Sequence, residues 1–106
     1  MDANSLDELR AAREVAGRLY HEFLRVPEMS AGFYRLPAGG VDPQSPHDED
    51  EIYVVMHGRA RITVGDEARA VSPGDVVFVA AQVPHHFHDI EEDLEVVVVF
   101  APAESA

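Results

Sequence analysis

From about Tyr20 onward the chain is written in short bursts of Val, Ile, Phe and Tyr, each cut off by Gly, Pro or Asp. That punctuation leaves no room for long helices, and β-branched and aromatic residues in bursts of this length belong in strands. The strands read Ala31 to Leu36, Glu51 to Met56, Ala60 to Val64, Ala68 to Val71, Val76 to Ala80, His85 to Asp89 and Leu94 to Phe100. Pro37-Ala38-Gly39-Gly40, Gly58, Gly65-Asp66, Ser72-Pro73-Gly74-Asp75 and Glu91-Glu92-Asp93 separate them. Gly65-Asp66 reads as a two-residue hairpin turn, because Gly supplies a positive φ at the first turn position. Closely spaced strands without crossover helices predict an all-β antiparallel sandwich or barrel. Val96 to Val99 is apolar on both faces, so that strand is expected to be covered on both sides.

Residues 1–19 read as an N-terminal helix. Ser5 and Glu8 have the spacing of a capping box. Leu6, Leu9, Val15, Ala16 and Leu19 recur at roughly helical spacing and predict a buried stripe, which Gly17 weakens near its end. Residues 20–102 form the body of one domain, and residues 103–106 read as a frayed C-terminal tail.

With 106 residues there is room for one core. Twenty acidic against eight basic residues give a formal charge of −12, which argues against partners rich in phosphate, whether nucleic acid or anionic membrane. The chain has no Cys, which removes disulfides, thiolate metal sites and Cys nucleophiles, and no Lys, which removes Schiff-base chemistry. No apolar run is long enough to span a bilayer, and the acidic start MDANSLDELR lacks the order of a signal peptide, so a cytoplasmic location is expected.

The six histidines are unevenly placed: His47 precedes an acidic stretch, His85, His86 and His88 cluster, and His21 and His57 stand apart. Glu51 follows His47 by four residues and opens a strand on which Glu51, Tyr53 and Val55 share a face. His85 opens another strand with Phe87 on its own face and His86 and His88 on the opposite one. Two imidazoles and one carboxylate suit non-haem iron or zinc and leave coordination positions open. The same spacing also describes a solvated loop histidine beside an acidic strand face. Asp48, Glu49 and Asp50 read as a solvated acidic loop, with Arg59 and Arg61 as its salt-bridge partners. His57 is expected at a turn.

Two segments carry a resemblance. Gly39, Ser45, His47, Glu51 and Gly58 fall at the spacing of the first motif of the cupin superfamily, with Ser45 and His47 at its two histidine positions. Gly74, Ala80, Gln82, His85 and Asp89 fall at the spacing of the second, with Ala80 and Gln82 in place of its Pro and Gly and Asp89 in place of its Asn. Over roughly Tyr20 to Pro102 the chain resembles a small single-domain bacterial cupin. The resemblance implies a cupin-type antiparallel β-barrel, or jelly roll, with one divalent metal per subunit (Fe, Mn, Ni or Zn). Carried over by position, the metal ligands are His47, Glu51 and His85. Ser45 replaces a family histidine and is a poor ligand, so three protein ligands are expected. Gln44 could add an amide oxygen, although its side chain is expected to point away from Ser45. Ser45, Tyr53 and Phe87 are expected to wall the cavity, and Glu51 and Tyr53 are the candidate catalytic groups.

Two functional readings follow. One is a metal-dependent enzyme on a small organic molecule, of dioxygenase, isomerase or lyase type. The other is a small-molecule-binding barrel without turnover, or a degenerate member of the family. The resemblance also implies a homodimer.

Overall fold

The computed structural model of the chain describes residues 1–105. Among them are one helix, α1 (Leu6–Ala16), and six strands: β1 (Tyr20–Val26), β2 (Met29–Leu36), β3 (Asp50–Val64), β4 (Glu67–Val71), β5 (Val76–Val79) and β6 (His85–Ala101). All pairings are antiparallel, in the order β1-β2-β6-β3-β4, with β5 added to β3. This is the expected all-β barrel of cupin type with a short N-terminal helix. No helix of the described residues is long and apolar enough to cross a membrane.

Four of the expected short strands are halves of two long ones. Glu51 to Met56 and Ala60 to Val64 join as β3, and His85 to Asp89 and Leu94 to Phe100 join as β6. The β3–β6 ladder shifts register three times between Val55 and Arg61, so the strand pair turns a corner without breaking. Gly58 sits at that corner with φ +90°, and a Cβ there would lie 2.2 Å from the carbonyl oxygen of Asp93. His57 is therefore in the corner of a strand rather than at a turn, with Nδ1 3.1 Å from the same carbonyl. Strand β1 was not among the sequence expectations, because a bulge between Glu22 and Leu24 breaks its alternation. The Gly65-Asp66 turn joins β3 to β4 as expected, with Gly65 at φ +61°.

Residues alternating inward along β2, β3 and β6 build one core, including Tyr34, Leu36, Tyr53, Val55, Ile62, Phe87, Leu94, Val96, Val98 and Phe100. Val97 and Val99, on the opposite face of β6, are only half-buried, so the expected two-sided cover is incomplete. Helix α1 opens on the Ser5–Glu8 capping box and stops at Gly17, whose left-handed conformation lets its N–H reach the carbonyls of Arg13 and Glu14. Its expected apolar stripe is mostly not buried. Leu9 is its buried residue, whereas Val15 lies on the other side, fully in solvent. The helix docks through Leu9 and through Arg10, whose Nε and Nη2 donate to the buried Glu95 at 2.6–3.0 Å.

The C-terminal tail is not frayed through Ser105. The N–H groups of Ala103, Glu104 and Ser105 donate to Pro27 O, Ser30 Oγ and Glu49 Oε2. Ala106 lies outside the described residues.

Candidate metal centre

The inward face of β3 presents Glu51 and then Tyr53, two residues on. His85, at the start of β6, faces them from across the barrel. His47 comes from the loop between β2 and β3, and its carbonyl accepts from Gln82 N–H at 2.7 Å. That loop is organised by Asp42, a buried residue that sequence reasoning missed. Its Oδ1 accepts from Tyr34 Oη at 2.6 Å and from Gln44 N–H at 3.2 Å. Its Oδ2 accepts from Gln44 Nε2 at 2.8 Å and from Phe87 N–H at 2.9 Å. The available signal was Asp42-Pro43, since Asp before Pro often turns back on the amide two residues on.

One ligand atom each from His47, Glu51 and His85 lies within 4.8 Å of the others. His85 Nε2 stands 2.7 Å from Glu51 Oε1 and 3.0 Å from Tyr53 Oη. His47 Nε2 stands 3.3 Å from Gln44 Oε1, and Tyr53 Oη donates to that same oxygen at 2.8 Å. Acceptors stand on the far side of these groups. His85 Nδ1–H is used on Val83 O at 2.9 Å, the Gln44 amide N–H on Asp42, and His47 Nδ1 lies 3.2 Å from Glu104 Oε2. With the ring protons on those outer atoms, two imidazole nitrogens, a carboxylate and an amide oxygen face one another as lone pairs, with the Tyr53 hydroxyl proton to share. Both Glu51 oxygens are buried without an aligned hydrogen bond; the close His85 nitrogen is off-line. Buried acceptors left in this state are costly unless something positive completes them. A divalent cation fits such a mixed N/O donor set.

Burial works to lower the His85 pKa, but the Glu51 carboxylate and the Val83 carbonyl outweigh it, and the net shift is upward. Burial, then the negative charge of Glu51, pushes the Tyr53 hydroxyl well up, so it stays a proton donor. Burial also raises Glu104, against the pull of His47.

A cavity of about 150 Å³ opens beside the cluster. Tyr20, Tyr34, Val98 and Phe100 wall it, and Gln44, His47 and Glu104 form its polar end. Four expectations need correction here. Ser45 is exposed, because the loop turns its neighbour Gln44 inward onto Asp42 instead. Tyr53 and Phe87 are buried behind the cluster, ring against ring at 4.9 Å, rather than lining the cavity. The acidic loop is only partly solvated: Glu49 is buried beneath Ser105, while Asp50 accepts from Ala81 N–H. Arg59 pairs with Glu91 and Glu92, not with that loop. His86 is exposed, and His88 is held by Thr63 and Asp89 on the outer face.

A barrel of this topology with two histidines and a carboxylate at its centre defines a cupin, and the chain belongs to that family: residues 32–100 match the cupin domain. It is 53% identical over 105 residues to the uncharacterized protein SCO3923 of Streptomyces coelicolor, covering 99% of this chain and 100% of that one. Its fold is similar to TT1209 from Thermus thermophilus (TM-score 0.77, 21% identity, 97% of this chain and 99% of that one). It is likewise similar to a Cupin 2 conserved barrel domain protein from Salinispora arenicola (TM-score 0.73, 22% identity, 95% and 88%).

Proposed function

We propose that this cupin is a metal-dependent enzyme acting on a small organic molecule. His47, Glu51 and His85 would hold one divalent cation per subunit (Fe, Mn, Ni or Zn), with the Gln44 amide oxygen as a further donor. The observation that carries this reading is the convergence of His47, Glu51 and His85 within 4.8 Å, with Gln44 Oε1 3.3 Å from His47 Nε2 and both buried Glu51 oxygens without a hydrogen bond. Gln44 takes the part that Ser45 cannot, because Asp42 accepts its amide N–H and so turns its oxygen toward His47.

Such a cation, when bound, would supply Lewis-acid polarisation of a substrate hydroxyl or carbonyl oxygen. The chain's own groups do the rest. Tyr53 keeps a proton at Oη between Gln44 and His85. Val98 and Phe100 keep water from the inner wall, and the cavity admits a body of about benzene's size. Glu104 at the polar end disfavours an anionic group there, so the substrate is neutral at that end, with a hydroxyl or carbonyl oxygen facing the cluster. Elemental analysis of untagged protein, purified without chelator or added metal, tests the reading. About one equivalent of metal is expected in the wild type and very little in His47→Ala or His85→Ala. A metal-free wild type with both variants equally folded would sink it.

The open outer face of the sheet supports a homodimer. Val99, Ile52 and Phe78 are cross-strand neighbours, as are Val97, Val54 and Val76, on three adjacent strands, while Ala31 and Phe33, next in the same rows on β2, are already buried. Phe78 and Val76 remain about 60% exposed (59% and 62%). On a chain of charge −12 this uncharged face is where a second copy can meet the first without opposing like charges. Light scattering should give a dimer mass for the wild type and a monomer mass for Phe78→Asp; a monomeric wild type refutes it.

A further inference from the structure

Residues 103–105 bring Glu104 to the cavity beside the cluster, and four hydrogen bonds hold them in place. Besides the three N–H bonds of the tail, Arg25 Nη2 donates to Glu104 O at 2.7 Å. The partners come from β1, the β1–β2 turn, β2 and the loop before β3, so the position of Glu104 is set by separate parts of the fold. Its Oε2 lies 3.2 Å from His47 Nδ1, and its side chain is 27% exposed.

We infer that Glu104 is a positioning residue for the metal centre: it holds His47 in the Nδ1–H tautomer and aims Nε2 at Glu51 and His85. His47 lies between two acceptors, the Glu104 carboxylate 3.2 Å from Nδ1 and the Gln44 amide oxygen 3.3 Å from Nε2; the charged acceptor holds a proton more strongly than the neutral one, so a neutral imidazole here carries it on Nδ1. Free neutral histidine prefers the opposite tautomer, which would turn an N–H toward the centre instead of a lone pair. His85 receives the same service from the backbone carbonyl of Val83. His47 lies on a loop, where no strand backbone offers an acceptor, and the C-terminal segment supplies one from a distance of 57 residues in sequence (104 − 47). Such a partner fixes both the tautomer and the ring orientation of a ligand histidine. The consequence for metal rests on the function proposed above; the tautomer does not.

The test uses the full chain, with Glu104→Ala and Glu104→Gln. Imidazole ¹⁵N shifts of the metal-free protein report the tautomer, and competition titration with Zn²⁺ reports affinity. In the wild type His47 is expected as the Nδ1–H form. Glu104→Ala should move it toward the Nε2–H form and weaken Zn²⁺ binding by about 10–100-fold. Glu104→Gln, whose amide oxygen still accepts, should restore most of both. Matching thermal transitions in the three proteins show that the fold is retained. An unchanged tautomer and affinity in Glu104→Ala overturn the inference. A wild type that holds the Nδ1–H form yet binds no Zn²⁺ supports the positioning role and overturns the metal reading alone.

Discussion

Asp42 accepts four hydrogen bonds, and the donors belong to three separate pieces of chain: Tyr34 on β2, Gln44 on the loop and Phe87 on β6. A carboxylate can accept on both oxygens, whereas an amide must present N–H on one side. Asp42→Asn therefore sets a donor against a donor whichever way the side chain is flipped. The expected cost is about 2–3 kcal/mol of unfolding free energy, measured by denaturant titration, together with a turned Gln44 amide and weaker metal binding. Stability equal to the wild type would show that Asp42 is not the anchor of this loop. His47, Glu51 and His85 could be singled out from the sequence because each is a ligand type at a recognisable spacing. Gln44 was harder to place, and Asp42 and Glu104 were not identified, because their importance lies in what the folded chain brings beside them.

Strands β3 and β6 owe their length to the corner at Gly58. A side chain there would need a rare positive φ and would strike the Asp93 carbonyl at the same time. Gly58→Ala is expected to destabilise by more than about 1 kcal/mol, with the loss read as a lowered denaturation midpoint at unchanged slope. An unaffected midpoint would mean that the corner can relax. Gly58 reads as a break in the sequence because Gly weakens a strand pattern; bulges let the ladder continue around it. Helix α1 makes a different case. Its cap and its stop were legible, since both are local, but its buried face was not. Leu9 carries the docking, so Leu9→Ala should cost about 2 kcal/mol or more and expose the helix to limited proteolysis. Val15→Ala should change neither, and equal sensitivity of the two variants would contradict this packing.

For the molecule as a whole, the three tyrosines of the sequence, Tyr20, Tyr34 and Tyr53, are all wholly or partly buried. Burial is the main cause that raises each of their pKa values; Glu104 adds to it at Tyr20, Asp42 at Tyr34 and Glu51 at Tyr53. In the unfolded chain a tyrosine ionises near about pH 10. A folded pKa above that value contributes stability that is complete below pH 10 and is lost as pH rises past it. Unfolding free energy should therefore decline above about pH 10. Tyrosinate absorbance should appear together with loss of the fold rather than ahead of it. Ordinary tyrosine titration in a protein that is still folded would show that these rings are open to water. Tyr20 owes its place to Gly32, since a Cβ there would overlap its ring at 2.0 Å.

Local patterning carried the strand class, the helix cap, the Gly65-Asp66 turn and the ligand types, because period, capping and turn chemistry are properties of neighbouring residues. Resemblance to a family added the barrel and the expectation that His47, Glu51 and His85 meet. What remained undetermined was every fact that depends on residues distant in sequence. The inward turn of Gln44 in place of Ser45 is set by Asp42 and ultimately by Tyr34 and Phe87. The joining of short strands into β3 and β6 is set by their pairing with each other. The ordered tail is set by acceptors on Pro27, Ser30 and Glu49, which no composition of residues 103–105 announces. A hydrogen bond needs both partners in place, and for these groups the second partner exists only once the barrel has closed.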